Sequence, residues 1–126
     1  MKFTNSLIKG KLLKRYKRFF ADIKVNNKII TAHCPNTGSM QGLLDEGNEV
    51  LVTKHNDPKR KLKFTLEIIK AKKRYVGVNT HRANKIVNHG LENKLISEFK
   101  NIKNIKPEFK FSDDTRFDFL CDNNLI

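Results

Sequence analysis

The chain has 126 residues, of which 38% are hydrophobic and 31% charged, and this composition indicates a folded protein of one or two small domains. Its 26 lysines and arginines outnumber its 13 aspartates and glutamates, so the formal net charge at pH 7 is +13. No apolar run approaches the roughly 20 residues that a membrane span needs, and we expect a cytoplasmic protein with no membrane partner. The two cysteines, Cys34 and Cys121, lack the spacing of a disulfide framework or a zinc site.

The excess of positive charge favours a nucleic-acid partner, because cations that neutralise phosphates release bound counterions. A basic amphipathic helix would instead indicate a membrane surface, but most of these charges lie on stretches that alternate like strands. A genome rich in AT codons also enriches lysine, asparagine and isoleucine. Codon bias is therefore the alternative source of the charge.

Alternating apolar and polar residues predict five short strands in the first 79 residues. These strands are expected at 9–25, 28–32, 49–54, 62–68 and 75–79. Asn26 and Asn27 tolerate left-handed backbone angles and are expected to form the turn of a tight hairpin. Short strands separated by turn residues predict a small, five-stranded β-barrel of the OB type.

From residue 80 onward the period changes to that of a helix. Thr80 is a candidate N-cap, and apolar residues recur every four positions from Ala83, which predicts a helix from about His81 into the low nineties. Two more strands are predicted at 105–111 and 115–121. We therefore expect an α+β chain with two domains. The predicted domains are an OB-like barrel at 1–79 and a helix with a β-hairpin at 80–126.

The segment 33–40, His-Cys-Pro-Asn-Thr-Gly-Ser-Met, is the most distinctive loop of the sequence. Its proline fixes one backbone angle and its glycine permits angles that other residues avoid, so a loop of rigid shape is expected. Asn36, Thr37 and Ser39 place short hydrogen-bonding side chains on this loop, which suits an anion. The alternative is an ordinary turn whose polar side chains bond their own backbone.

A second candidate site is the basic stretch around Tyr16. On a strand, Arg15 and Lys17 would share one face. Lys14 and Arg18 would lie on the other face. Phosphate contacts combined with a base stacked on Tyr16 are typical of proteins that bind single strands, and a solvated edge guarded by lysine is the alternative. The residues predicted to contact nucleic acid are Arg15, Lys17, Arg18, Asn36, Thr37, Ser39, Arg60 and Lys61.

Several of these segments resemble the sugar fermentation stimulation protein A family. The resemblance rests on residues 10–19, 32–40, 56–61, 75–80 and 116–119, whose order and spacing agree along nearly the whole chain. It implies a bacterial or archaeal DNA-binding protein that regulates sugar utilisation. It also implies an N-terminal OB-like domain followed by a domain similar to the PD-(D/E)xK nucleases.

In that nuclease pattern two carboxylates hold a hard cation and a lysine orients a water molecule. Asp118 matches the aspartate of the pattern, and we expect Arg116 to be its ion-pair partner. The acidic-x-Lys strand that comes next has no counterpart before Ile126, so a truncated member with an incomplete nuclease site is expected. Glu108 and Lys110 have the acidic-x-Lys form but precede Asp118, and we interpret this match as coincidence.

The sequence thus predicts a DNA-binding protein without a cofactor or a bound metal. A nuclease with an incomplete site is the alternative, and it would imply a divalent cation such as Mg²⁺ only if the site were complete. An RNA-binding module fits the charge but not the resemblance. The apolar edge expected at 117–121 makes a homo-oligomer one expected assembly. No Gly-x-x-x-x-Gly-Lys motif or Ser-His-Asp set supports nucleotide hydrolysis or acyl transfer.

Overall fold

The computed structural model describes residue 3 and residues 5–126 of the chain. The described residues form two compact units, divided between Thr80 and His81. Met1, Lys2 and Thr4, which belong to the first predicted domain, lie outside the described residues. No helix in the described part of the chain is long and apolar enough to cross a membrane.

The N-terminal unit is a closed barrel. Its strands are β1 (Leu7–Tyr16), β2 (Phe20–Val25), β3 (Lys28–His33), β4 (Glu49–Lys54) and β5 (Phe64–Ala71). They pair antiparallel in the order β3-β2-β1-β4-β5, and a parallel pairing between β3 and β5 closes the ring. A short strand, β6 (Arg74–Gly77), pairs with β5. The predicted OB-like barrel of five strands is confirmed.

The five barrel strands differ in two respects from the five predicted ones. The strand expected at 9–25 is two strands, β1 and β2, joined by a turn in which Lys17 and Arg18 have φ angles of 49° and 64°. The strand expected at 75–79 is β6, which is not part of the closed ring. Because Lys17 and Arg18 lie in a turn, the predicted division of the basic stretch between two strand faces is wrong. The alternation breaks here, at Lys17-Arg18 and Phe19-Phe20, but neither lysine nor arginine is a typical turn residue, so the sequence does not mark this break as a turn.

The predicted hairpin turn at Asn26 and Asn27 is confirmed, with Asn26 at φ 55°. Residues that point inward from the strands form a buried apolar core together with Cys34, Met40 and Val78, which lie outside the strands. Its members are Leu12, Ala21, Ile23, Ala32, Cys34, Met40, Val50, Val52, Leu66, Ile69 and Val78. Strand β1 approaches β2 closely at Gly10, where an added Cβ would lie 2.6 Å from a methyl carbon of Ile23.

The polar face of β5 departs from the simple alternation that the sequence shows. Between the apolar residues Phe64, Leu66 and Ile68, simple alternation would place Thr65 and Glu67 toward solvent. They are only 5% and 2% exposed. Glu67 accepts hydrogen bonds from the Thr53 hydroxyl at 2.7 Å and from the Asn79 amide at 2.9 Å. His55 Nε2 lies 3.0 Å from the Thr65 hydroxyl oxygen. Hydrogen bonding to these partners offsets the cost of burying the polar side chains.

The C-terminal unit combines one α-helix with a small antiparallel sheet. The helix α1 (Ala83–Glu92) is followed by β7 (Ile105–Lys110), β8 (Arg116–Cys121) and β9 (Asn124–Leu125). The strands pair in the order β7-β8-β9. Leu91, Ile102, Phe119 and Cys121 form the buried core of this unit. The predicted helix and hairpin are confirmed.

Two details differ from prediction, one at the end of the N-terminal unit and one in the C-terminal unit. Thr80 starts a 3-10 turn and is not the N-cap of α1; its hydroxyl donates to the Pro35 carbonyl at 3.1 Å. The apolar edge of β8 was expected to stay unpaired, but β9 and the residue after it cover that edge. Ile126 N donates to Phe119 O at 2.9 Å, and Phe119 N donates to Ile126 O at 3.0 Å.

Candidate nucleic-acid interface

The loop 33–40 is fixed by contacts at both of its ends. Cys34 and Met40 are buried, and their sulfur atoms lie 3.7 Å apart. The carbonyl oxygen of Pro35 accepts the hydrogen bond from Thr80. These anchors hold the segment between them against the barrel.

The exposed middle of the loop combines both sequence-based interpretations. The Asn36 side-chain oxygen accepts a hydrogen bond from Gly38 N at 2.9 Å, as expected for a turn that bonds its own backbone. Thr37 and Ser39 are exposed. Asn36 therefore shapes the turn, while the two hydroxyl groups lie on the surface.

Arg15 joins this loop to the β1–β2 turn. Its Nη2 donates to the Asn36 carbonyl at 2.9 Å, and its Nε and Nη2 lie 3.4 and 3.3 Å from the carbonyl oxygen of Arg18. A planar guanidinium bonds two acceptors in a fixed geometry that a lysine does not reproduce. Arg15 therefore acts here as a positioning residue that holds two loops together.

The end of the β1–β2 hairpin presents three exposed side chains, Lys17, Arg18 and Phe19, which we call the hairpin tip. Phe19 is 47% exposed. Its carbonyl oxygen accepts a hydrogen bond from Cys34 N at 2.7 Å, so the tip is fastened to the start of the loop 33–40. The sequence singled out Tyr16 as the stacking residue, whereas the more exposed ring is that of Phe19.

The ring of Tyr16 is supported from several sides. It stacks on Phe20 with ring centroids 5.4 Å apart and an interplanar angle of 19°. Lys14 Nζ lies 5.2 Å from the Tyr16 ring centroid. The Tyr16 hydroxyl donates to Asp22, which also accepts a hydrogen bond from Thr31. These contacts make the Tyr16 ring a rigid support behind the hairpin tip.

Arg60 holds its own loop in a similar way. Its Nε donates to the Leu62 carbonyl at 3.1 Å and its Nη2 to the Thr65 hydroxyl at 2.9 Å. Lys61 beside it is exposed. Of Arg60 and Lys61, the lysine is therefore the more exposed side chain.

Asp118 lies on β8 beside a second carboxylate. Asn84 Nδ2 donates to Asp118 at 3.1 Å and to Glu108 at 2.9 Å, so both carboxylates converge on one amide nitrogen. Arg116 Nη1 lies 3.8 Å from Glu108, so the ion pair that the structure shows differs from the expected Arg116–Asp118 pair. Glu108 has φ 55° in β7, an irregularity that sequence periodicity does not indicate. The fold thus places Glu108 next to Asp118 despite its position in the sequence.

These side chains do not complete a cation site. Hard cations such as Mg²⁺ and Ca²⁺ take oxygen ligands, whereas the group shared by the two carboxylates is an amide nitrogen. Among the described residues, no group of three or more His, Cys, Asp or Glu side chains could hold a metal ion. In the part of the chain that the structure describes, Asp118 and Glu108 therefore form a carboxylate pair without further His, Cys, Asp or Glu ligands.

Comparison with known proteins agrees with this two-part architecture. Residues 13–78 match the model of the SfsA N-terminal OB domain, and residues 81–125 match that of the sugar fermentation stimulation protein RE domain. A sugar fermentation stimulation protein homolog from Pelagibacter ubique is 67% identical over 124 residues, covering 98% of this chain and 53% of that protein. A homolog from Alteromonas mediterranea is 47% identical over 125 residues, covering 97% and 52%. The chain spans about half the length of the curated relatives it matches.

The fold is similar to that in the structure of Pyrococcus furiosus SfsA in complex with Ca²⁺. The TM-score is 0.79 at 22% identity, and the match covers 99% of this chain and 55% of the other. At this level of identity the likeness shows the fold alone. On the evidence of the two family models and the relatives, the chain belongs to the SfsA family of sugar fermentation stimulation proteins.

Proposed function

We propose that this chain binds DNA through the basic surface of its OB barrel, mainly by contacts to the phosphate backbone. The observation that carries the proposal is the hairpin tip, where Lys17 and Arg18 are exposed and fastened to the loop 33–40. The net charge of +13, summed over the whole chain, attracts a polyanion such as DNA. The hairpin tip supplies fixed points at which the phosphates can be held.

The structure divides the predicted contact residues into two groups. Exposed cations and hydroxyls are suited to direct phosphate contacts; they are Lys17, Arg18, Thr37, Ser39 and Lys61. Half-buried residues bonded to loop backbone position those contacts; they are Arg15, Asn36 and Arg60. Phosphate contacts position the protein but carry no base identity, so any preference among DNA sequences has to come from base contacts or DNA shape.

The test is a titration of labelled duplex DNA across a salt series. If about six phosphates are neutralised, log affinity falls against log salt with a slope of about −5. Affinity that does not change with salt would contradict the proposal, because counterion release is its main driving force.

The proposal includes a role in the regulation of sugar utilisation, which the family name supports. A regulator is expected to prefer DNA from upstream of sugar-utilisation genes over random duplex of the same length. Equal competition by both duplexes would instead indicate a general DNA-binding protein.

The alternative function is a metal-dependent nuclease. It is favoured by the convergence of Asp118 and Glu108 on Asn84, and by the Ca²⁺ named with the related Pyrococcus structure. Because the carboxylates do not complete a cation site, we expect supercoiled plasmid to stay intact with this chain and Mg²⁺. Cleavage that Asp118→Asn abolishes would establish the nuclease instead.

A further inference from the structure

Phe19 is an apolar ring held at a basic turn of the barrel, beside Lys17 and Arg18. It is 47% exposed, and it directly follows Lys17 and Arg18, which are both exposed with left-handed backbone angles. Non-glycine residues enter that region at a steric cost, so the turn is specified by its surroundings. Here the surroundings are Arg15, which binds the Arg18 carbonyl, and Cys34, which binds the Phe19 carbonyl.

The backbone of the tip is therefore rigid while its three side chains remain available. Bonds from Arg15 and Cys34 fix the carbonyls of two successive residues. Behind them the stacked pair of Tyr16 and Phe20 supports the ends of both strands. A rigid platform loses little conformational entropy when a ligand binds.

We infer that the hairpin tip binds single-stranded DNA, with an unpaired base stacked on the Phe19 ring and the flanking phosphates held by Lys17 and Arg18. This inference rests on the proposed DNA binding and adds a preference for single strands. Duplex bases are already stacked on their neighbours, whereas every unpaired base offers a free π-face to an aromatic ring. The exposed Phe19 ring suits the unpaired base of such a ligand. The cations and the polar loop beside the ring suit its phosphates.

The first test compares Phe19→Ala with Tyr75→Ala by fluorescence anisotropy on labelled oligo-dT and on duplex. Tyr75 is a matched control because it is also an exposed aromatic of the barrel unit, with Lys70 Nζ 5.1 Å from its ring centroid. Phe19→Ala is expected to weaken oligo-dT binding about fivefold or more and duplex binding less than twofold. Tyr75→Ala is expected to change neither. Circular dichroism confirms that each variant is folded.

A second variant reports the contact itself. The chain contains no tryptophan, so Phe19→Trp places a single indole at the tip. Its emission is expected to be quenched by oligo-dT in step with the anisotropy change. Because stacking carries no charge, the loss caused by Phe19→Ala should stay constant as salt rises, unlike the loss caused by removing Lys17 and Arg18.

Three outcomes would overturn the inference. Equal losses on oligo-dT and duplex, or indole emission that ignores bound oligo-dT, would show that Phe19 does not stack on a base. An equal dependence on Phe19 with oligo-U would show that the site binds single strands of either kind and has no preference for DNA. Absence of binding to both DNA forms by the unmodified chain would instead remove the proposed function, which separates the two failures.

Discussion

Replacing Arg15 by alanine tests the link between the hairpin tip and the loop 33–40. The change removes a charged donor bonded to the Asn36 carbonyl at 2.9 Å and two longer contacts, at 3.3 and 3.4 Å, to the Arg18 carbonyl. A hydrogen bond from a charged group contributes about 1.5–3 kcal/mol, and the lower end applies to this half-buried residue. We expect the barrel unit to lose about 1.5–2 kcal/mol of unfolding free energy.

For a domain of this size, that loss corresponds to a melting temperature lower by roughly 10 °C. Thermal melts followed by circular dichroism measure the stability, and hydrogen exchange measures where it is lost. The amides of Cys34 and Gly38, which bond within the tip and the loop, should exchange faster in Arg15→Ala. Arg15→Lys should recover little, because lysine lacks the fork that reaches both carbonyls.

The matched control is Arg74→Ala, which removes an exposed arginine of β6 and should leave the melting temperature unchanged. The reasoning is refuted if Arg15→Ala melts like the parent and the two amides keep their protection. DNA affinity measured on the same variant then separates positioning from contact. If Arg15 is a positioning residue, Arg15→Ala is expected to weaken DNA binding and to increase hydrogen exchange in the loop 33–40 at the same time.

Four further predictions concern the barrel and the cysteines. Gly10→Ala should destabilise the barrel by about 1–3 kcal/mol in urea titrations, because its Cβ would lie 2.6 Å from a neighbouring methyl carbon; an unchanged midpoint would contradict that packing. Thr53→Val should cost about 1–3 kcal/mol, because it removes a donor from the buried Glu67 carboxylate while keeping the shape; a neutral effect would show that the bond adds nothing. Cys34 and Cys121 are buried, so a thiol reagent should label them only after unfolding, and fast labelling of the native chain would be inconsistent with this burial. The pKa of the Cys121 thiol is raised, mainly by burial and also by the adjacent Asp122 carboxylate. The folded thiol therefore keeps its proton to a higher pH than the unfolded one. Because the unfolded chain loses this proton first, alkaline pH should favour unfolding.

The sequence predicts the elements whose residues carry their own conformational preference. Asn26 and Asn27 favour left-handed angles, and the turn lies there. Lys17 and Arg18 have no such preference, so the turn that divides β1 from β2 is set by tertiary contacts to Arg15 and the loop. Short strands separated by turn residues indicate an OB barrel and the composition indicates that it is basic, but neither identifies which cations are bonded to backbone.

The candidate site in the C-terminal unit shows the same limit. Asp118 is recognised from its match to the family pattern. Glu108 is brought beside it by the pairing of β7 with β8, and Asn84 by a bond from α1. Order along the chain does not identify Glu108 as a partner of Asp118, because residues that face each other across a hairpin have no set spacing in sequence.

The central claim is that the hairpin tip is a specific point of phosphate contact and does not act through net charge alone. The most direct measurement compares two double variants in duplex salt titrations, Lys17→Gln with Arg18→Gln, and Lys72→Gln with Lys73→Gln. The second pair is a close control, because both lysines are exposed and have φ angles of 49° and 68° in the turn between β5 and β6. Removing the tip cations is predicted to reduce the salt slope by about two and to weaken binding, because each lost phosphate contact lowers the slope by about one. The control pair is predicted to keep the slope, and equal effects of the two pairs would contradict the claim.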